Sequence, residues 1–211
     1  MSPRRARAVG GRVGDDPATA LRQHLIETTE TLLGRMPITA ITPRDIARAA
    51  DVSDGVLYNY FDDKTALVVA ALVLRYRRLA RRFFEALPEA GSATVEENLV
   101  AFAGGLIELL GEALPTLAGL LTEPVLLHRL FDEIHRDELS PQLMEARLGD
   151  YLRAEQRLGR LPAADLSPAG TLLIGSVVVL VLSSTFAPAG SAMAPVAQIR
   201  PIVTTILRGL G

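Results

Sequence analysis

The segment TPRDIARAADVSDGVLYNYFDDKTAL, residues 42–67, contains two helix start signals in close succession, and the first is Thr42. Its hydroxyl precedes Pro43, and Asp45 follows at the third helical position. A hydroxyl cap, a proline at the first helical position and an acid at the third are together typical of a helix N-terminus. The pattern predicts a short helix over about residues 43–50.

The second start signal is Ser53, which is predicted to cap another short helix with Asp54 in its first turn. Two short helices joined by about three or four residues form the helix-turn-helix arrangement. In that arrangement the second helix enters the major groove of DNA. The segment therefore predicts a DNA-binding head.

Helical patterns account for most of the remaining chain. Apolar residues recur at helical spacing over about 19–33, and Asp62 or Asp63 is predicted to cap a longer helix over about 64–86. Proline and glycine separate the further predicted helices, which are 93–112, 115–121, 123–136, 141–160, 167–186 and 193–209. The prediction is an all-α fold of about nine to ten helices, in which a three-helix head is joined to a larger helical bundle.

Charge divides the chain unevenly. Residues 1–84 hold 14 Lys+Arg against 9 Asp+Glu, whereas residues 85–211 hold 8 against 15. A basic N-terminal part is drawn to a polyanion and an acidic remainder is not. We predict a disordered basic arm at 1–17, the DNA-binding head at 18–63 and a separate bundle domain at 64–211.

Composition argues against several other classes of protein. The chain has no cysteine, which excludes disulfides and thiolate metal sites and fits a reducing compartment. It has 3 histidines, and neither a glycine-rich phosphate loop after a strand nor a nucleophile motif is evident. The N-terminal residues lack the apolar run of a signal peptide. We therefore expect a cytoplasmic protein that is not an enzyme and needs no cofactor.

The segment TLLIGSVVVLVLSSTF, residues 171–186, is apolar nearly throughout. Its β-branched residues also suit a strand, but no partner strand is evident. A membrane helix needs about 20 apolar residues, and this run is shorter and includes five Ser or Thr. We interpret it as a helix buried on all sides, at the centre of the bundle or in a subunit interface.

Residues 42–67 resemble the N-terminal signature of the TetR family of bacterial transcriptional repressors. The family pattern is T-x-x-x-I-A-x-x-A-G-V-S-x-G-x-L-Y-x-[HY]-F-x-x-K-x-x-L. The matching positions are Thr42, Ile46, Ala47, Ala50, Val52, Ser53, Gly55, Leu57, Tyr58, Tyr60, Phe61, Lys64 and Leu67. Val52, Leu57 and Phe61 are apolar and are predicted to hold the short helices against the first helix.

Nine other residues of the segment are candidates for contact with DNA. The resemblance implies a base contact by Arg44, which can bond both O6 and N7 of guanine, and a phosphate contact by Lys64, the only lysine in the chain. A solvated surface arginine is the alternative for Arg44. The predicted DNA-binding residues are Thr42, Arg44, Asp54, Gly55, Val56, Tyr58, Asn59, Tyr60 and Lys64.

Two residues depart from the family pattern. Asp51 replaces a common glycine, so the turn must accommodate a left-handed residue with a side chain, which Asp tolerates better than most. Asp54 stands where a basic or polar residue is common. It would either accept a hydrogen bond from cytosine N4 or repel a phosphate.

The resemblance also implies a homodimer that binds a palindromic operator in double-stranded DNA and releases it when a small hydrophobic or amphipathic effector binds. Gly175, Ser176, Ser183 and Ser184 would let a neighbouring helix approach. The predicted dimer interface consists of Leu148, Leu152, Leu173, Val177, Leu180 and Ser184. The candidate effector-binding residues, for which plain core packing is the alternative, are Phe102, Leu106, Leu110, Leu126, His128, Phe131 and Leu172.

Three alternatives stay open from the sequence. One is a constitutive helical DNA-binding protein without an effector, and another is a membrane-anchored regulator that uses residues 171–186. The third concerns His128, Asp132 and His135, which lie on one face of a predicted helix at a spacing that suits a divalent metal. Surface polar residues explain that spacing equally simply, and we predict no metal site.

Overall fold

A computed structural model of the chain describes residues 16–136, 140–187 and 194–209. These residues form α-helices and two 3₁₀ segments, Ile38–Ala40 and Asp54–Asn59, which confirms the all-α prediction. The α-helices are α1 (Pro17–Leu33), α2 (Pro43–Ala49), α3 (Lys64–Glu85), α4 (Val95–Leu120), α5 (Pro124–His135), α6 (Pro141–Arg157), α7 (Ser167–Phe186) and α8 (Pro195–Arg208). Most of the predicted arm lies outside the described residues, and Pro17 at its end opens α1.

The predicted break before Pro115 is wrong. A single helix, α4, runs through this proline from Val95 to Leu120. A proline inside a helix costs about 3 kcal/mol because it removes a hydrogen bond and crowds the preceding turn. Leu106 and Leu109 before the proline and Leu120 after it are all buried. Tertiary packing of this apolar face therefore outweighs the local signal.

The second short helix of residues 42–67 is also different from the prediction. Asp54–Asn59 forms a 3₁₀ segment, and the side chain of Ser53 makes no capping hydrogen bond. We call Asp54–Asn59 the recognition turn. Only Leu57 within it is buried, so one apolar side chain anchors the segment while its other residues face outward or pack at the edge.

The described residues fall into two units. The head unit comprises the chain up to Arg77 together with Gly119–Glu133, and the bundle unit comprises Arg78–Ala118 and the chain from Ile134 onward. The core of the head unit is apolar and consists of Leu25, Ile26, Ile41, Ile46, Ala47, Ala50, Leu57, Phe61, Leu67 and Ala71. Leu57 and Phe61 thus hold the structural positions predicted for them, with Val52 packed against the same core.

Within the bundle unit, α7 packs against both α6 and α8. Phe83 of α3 meets Phe102 of α4 edge to face, with ring centroids 5.3 Å apart. Leu173 and Val177 of α7 are buried, as is Val203 of α8. The observed bounds of α7 agree with the predicted span 167–186.

Candidate DNA-binding surface

The N-terminus of α2 is held by a reciprocal cap. The backbone N–H of Asp45 donates to Thr42 Oγ1 at 3.2 Å, and the backbone N–H of Thr42 donates to Asp45 Oδ2 at 3.1 Å. The Thr42 hydroxyl also donates to Asp45 Oδ2 at 2.6 Å and thereby holds the pKa of that carboxyl below its ordinary value. The predicted cap is confirmed. It fixes the first turn of α2, which carries Arg44.

Arg44 follows directly in the first turn of α2, with 82% of its side chain exposed. Its Nε lies 3.4 Å from Oδ2 of Asp54, the first residue of the recognition turn. Arg48, one turn further along α2, pairs instead with Asp45 at 2.7 Å. Two arginines of the same short helix therefore have different acidic partners.

Asp51 forms the turn between α2 and the recognition turn. Its φ of 56° lies in the left-handed region, as predicted for a residue that replaces a glycine. The N–H of Val52 donates to the carbonyl of Ala47 at 3.0 Å and closes the turn. The turn thus reverses the chain and brings Asp54 back beside Arg44.

The recognition turn presents most of its side chains to solvent. Tyr58 is 59% exposed, and Asn59 is exposed beside it. Tyr60 is half-buried and packs against the head core, so its ring has a structural contact in addition to any contact with DNA. A Cβ added to Gly55 would meet no other atom within 4 Å, which leaves this part of the turn open for close approach.

Lys64 is the first residue of α3, and the residue before it supplies the helix cap. Asp63 Oδ1 accepts a hydrogen bond from the backbone N–H of Ala66 at 2.6 Å. Arg129 of α5 donates to Asp63 Oδ2 at 3.2 Å. The Ala66 N–H, and after it Arg129, hold the pKa of Asp63 below its ordinary value. An ionised Asp63 therefore fixes the helix end that carries Lys64.

Two contacts around this surface were not anticipated from the sequence. The Arg22 guanidinium lies 4.9 Å from the centroid of the Phe61 ring, where it covers an edge of the head core. Arg129 reaches Asp63 across 66 residues of sequence. No local pattern predicts such a pair, because it depends on how distant helices pack.

The candidate effector-binding residues have different exposures and lie in both units. Phe102, Leu106 and Leu126 are buried, whereas His128 is exposed. Leu172 is 61% exposed on α7, so it does not line an enclosed cavity of this chain. The roles of the other residues stay predictions.

A groove of about 410 Å³ lies between α6 and the start of α7, within the bundle unit. Its lining combines polar side chains such as Arg153, Gln156 and Thr171 with apolar ones such as Ile174. None of the candidate effector-binding residues lines this groove. Periodicity in the sequence could not locate it, because a groove depends on the packing of two helices.

Four of the six residues predicted for the dimer interface need correction, whereas Leu180 and Ser184 are half-buried and stay predictions. Leu148, Leu152, Leu173 and Val177 are buried within a single chain and so are not available to a partner. On the exposed face of α7 we define the α7 stripe as Pro168, Leu172, Gly175, Val179, Ser183 and Phe186, all exposed and uncharged. The helix is therefore not buried on all sides. It is apolar around its whole circumference, so periodicity could not distinguish the face that packs internally.

Of the helices that the structure describes, α4 and α7 are long and apolar enough to cross a membrane by length and composition alone. The core helix of a soluble protein passes the same test. Among the described residues, no group of three or more His, Asp or Glu side chains is arranged to hold a metal ion. His128, Asp132 and His135 are exposed on α5.

Comparisons with known proteins found one matching sequence family and several similar folds. Residues 25–71 match the sequence family described as bacterial regulatory proteins, tetR family. A search of curated proteins gave no match.

Several solved structures share the fold over nearly the whole chain. A candidate TetR-family transcriptional regulator from Mesorhizobium loti MAFF303099 is 16% identical with a TM-score of 0.72, covering 93% of this chain and 100% of the other. A candidate transcriptional regulator from Pseudomonas aeruginosa PAO1 is 25% identical with a TM-score of 0.61, covering 93% and 92%. The regulator FadR from Bacillus subtilis, in complex with stearoyl-CoA, is 16% identical with a TM-score of 0.57, covering 90% and 99%.

Proposed function

We propose that this chain is a member of the TetR family of bacterial regulatory proteins, whose model matches residues 25–71, and that it represses transcription from a palindromic operator. It is a DNA-binding transcriptional regulator by family and fold. In the proposal it binds the operator as a homodimer in the cytoplasm and has no catalytic role. A small hydrophobic or amphipathic effector releases it.

The observation that carries the proposal is the division of the head unit into a buried apolar side and an exposed polar side. Leu57 and Phe61 are buried, while Arg44, Tyr58 and Asn59 between and beside them are exposed. Arginine suits the guanine edge, and tyrosine hydroxyls suit phosphate oxygens. Lys64 completes the surface as a compact cation for a phosphate.

A second copy of the chain is the proposed occupant of the α7 stripe. Leu172 and Val179 are each 61% exposed and Phe186 is 69% exposed, with small residues between them. Exposed apolar side chains in a contiguous row mark an interaction surface. Small residues let a second helix approach closely, and the two-fold axis of a dimer places two recognition turns about 34 to 36 Å apart on DNA.

The proposed effector class follows from the apolar character of the bundle unit. One solved relative of this fold is a regulator in complex with stearoyl-CoA, which is an amphipathic molecule. An effector acts only through its difference in affinity for the DNA-bound and the released conformations. A long-chain acyl-CoA is therefore a sensible first probe, to be added to a preformed protein–DNA complex.

The decisive experiment is selection of bound sequences from random double-stranded DNA, followed by gel shifts across a range of salt concentrations. We expect a palindromic consensus and tight binding that weakens steeply with salt. Absence of any sequence preference at moderate salt would contradict the proposed function.

Lys64→Ala tests the phosphate contact on the same DNA. It should weaken binding to all sequences alike and reduce the slope of log affinity against log salt by about one. Arg35→Ala removes another exposed cation of the head unit, outside the predicted surface, and should leave the slope unchanged. An unchanged slope in Lys64→Ala would remove Lys64 from the surface without removing the regulator.

A further inference from the structure

We propose that Asp54 determines operator specificity by acting through Arg44 and does not itself contact a base. This inference rests on the proposed function, since it concerns the same DNA-binding surface. In this arrangement Asp54 is a positioning residue: it orients the Arg44 guanidinium toward one base pair. The sequence alone left Asp54 with two other roles, which were a bond to cytosine and repulsion of a phosphate.

The Asp54 carboxylate lies against one particular donor of the Arg44 guanidinium, its Nε. Asp54 Oδ2 lies 3.4 Å from Arg44 Nε. A guanidinium has five N–H donors in a rigid planar fork. A contact through Nε leaves the four N–H groups of the two terminal nitrogens, which are the pair that can bond O6 and N7 of guanine together.

The two residues come together because of the turn, not because of their spacing in sequence. Arg44 is near the start of α2, and Asp54 opens the recognition turn ten residues later. The left-handed Asp51 and the bond from Val52 N–H to the Ala47 carbonyl fold the chain back between them. The contact is therefore part of the turn that defines the DNA-binding head.

In the free protein this contact is weak, because 82% of the Arg44 side chain and 58% of the Asp54 side chain are exposed to water. Docking on DNA displaces that water, and a lower local dielectric strengthens the same interaction. The carboxylate also opposes any displacement of Arg44 toward a neighbouring phosphate, because the two anions would then approach each other. Asp54 thus favours the base-reading position of Arg44 over a sequence-independent one.

The neighbouring arginine of α2 provides an internal contrast. Arg48 is bonded to Asp45, whose carboxylate already caps α2. That pair lies within one helix and does not connect α2 to the recognition turn. Only the pair of Arg44 and Asp54 joins the two elements of the helix-turn-helix through side chains of opposite charge, among the ion pairs described for the head.

The test is a double-mutant cycle on base preference. Arg44→Ala, Asp54→Asn and the double variant are measured against the selected operator and against operators changed at each base pair. Asn has nearly the shape of Asp, so Asp54→Asn should fold normally, which a thermal melt checks. Asp62→Asn is the matched control, because Asp62 is another exposed carboxylate of the head and its substitution changes the charge equally.

We expect Arg44→Ala to reduce the preference for guanine at one base pair by about 10-fold. Asp54→Asn should reduce preference at that same base pair by about 3-fold, with no further reduction when Arg44 is already alanine. Asp62→Asn should raise affinity for all sequences slightly and equally, because it removes a negative charge near DNA.

Three results would overturn the inference while leaving the proposed function intact. The first is that Asp54→Asn behaves as Asp62→Asn does. The second is that its effect falls on a different base pair and persists without Arg44, as direct reading of cytosine requires. The third is that Arg44→Ala weakens binding to every sequence equally. A wild-type protein without any sequence preference would instead contradict the proposed function itself.

Discussion

The head unit and the bundle unit distribute polar and apolar groups in opposite ways. The head buries an apolar core and exposes charged and hydroxyl groups around the recognition turn. The bundle exposes the apolar α7 stripe and buries a carboxylate, Glu155, which is 0% exposed. An exposed polar surface suits a polyanion, whereas an exposed apolar row suits another protein chain. The contrast supports the proposal that the two units have different partners.

The buried carboxylate of the bundle is held by several donors. Arg160 Nη2 donates to Glu155 Oε1 at 3.1 Å, and the backbone N–H of Gly91 donates to the same oxygen at 3.2 Å. Arg160 Nε lies 2.9 Å from Oε2 as part of the same ion pair. Tyr151 lies one turn before Glu155 on α6, and burial raises the pKa of its hydroxyl. These contacts tie the loop before α4 to the end of α6 within the bundle unit.

Disrupting the α7 stripe should have the largest effect on assembly and operator affinity. Val179→Glu places a carboxylate in the proposed interface, and burying an unpaired charge costs several kcal/mol. We expect the dimer dissociation constant to rise by more than about 100-fold, as measured by sedimentation equilibrium, and operator affinity to fall with it.

Ala101→Glu, at an exposed position of α4, is the control and should leave the dimer intact. A wild-type monomer at micromolar concentration, or a Val179→Glu variant that still dimerises, would show that the stripe has another role.

Removing the counter-charge of Glu155 should have the next largest effect. Arg160→Ala leaves a buried carboxylate without its ionic partner and should lower the free energy of unfolding by about 3 kcal/mol in denaturant titrations. Arg153→Ala breaks the exposed pair with Asp150 and should cost about 0.5 kcal/mol or less. Equal losses in the two variants would show that burial does not distinguish these pairs.

The head should show its own electrostatic dependence at acid pH. The pKa of Asp63 is depressed from 3.8, so the folded state favours the ionised form. This stabilisation is present above the unfolded pKa and is lost as the pH falls through the lower, folded pKa. Asp63→Asn keeps an oxygen for the Ala66 N–H but lacks the charge.

The stability difference between wild type and Asp63→Asn should therefore shrink as the pH falls below about 4. Thermal melts at several pH values measure it, with Asp62→Asn as the control. A difference that stays constant with pH would mean that the charge on Asp63 contributes nothing.

The smallest predicted effect concerns the turn of the head. Asp51 has a φ of 56°, where glycine avoids the steric cost of a side chain. Asp51→Gly should stabilise the protein by roughly 0.5 kcal/mol, since the relief is partly offset by the flexibility of glycine when unfolded. Asp51→Ala should destabilise it by about 1 kcal/mol. Denaturant titration of the two variants should show opposite signs.

Local chemistry made much of the head predictable. The caps of α2, by Thr42 and Asp45, and of α3, by Asp63, join residues three positions apart. The left-handed conformation of Asp51 concerns the backbone of a single residue. Such features need no knowledge of distant packing. The cap by Ser53 failed because the recognition turn is a 3₁₀ segment, in which that side chain bonds no N–H.

The bundle was less predictable because its helices are apolar on more than one face. The bounds of α7 were predicted correctly, but its inner residues Leu173 and Val177 were assigned to a partner chain. Which face packs internally depends on the placement of α6 and α8. The continuous α4 likewise depends on packing that overrides Pro115.

The sequence by itself determined that the chain is helical, that residues 42–67 form two short helical elements and that Leu57 and Phe61 anchor them, because these features follow from spacing and capping within a few residues. Only the tertiary structure decided which face of α7 remains exposed, that Arg129 meets Asp63, and that Asp54 lies against Arg44. These three features depend on chain reversal and helix packing, which side-chain chemistry alone does not specify.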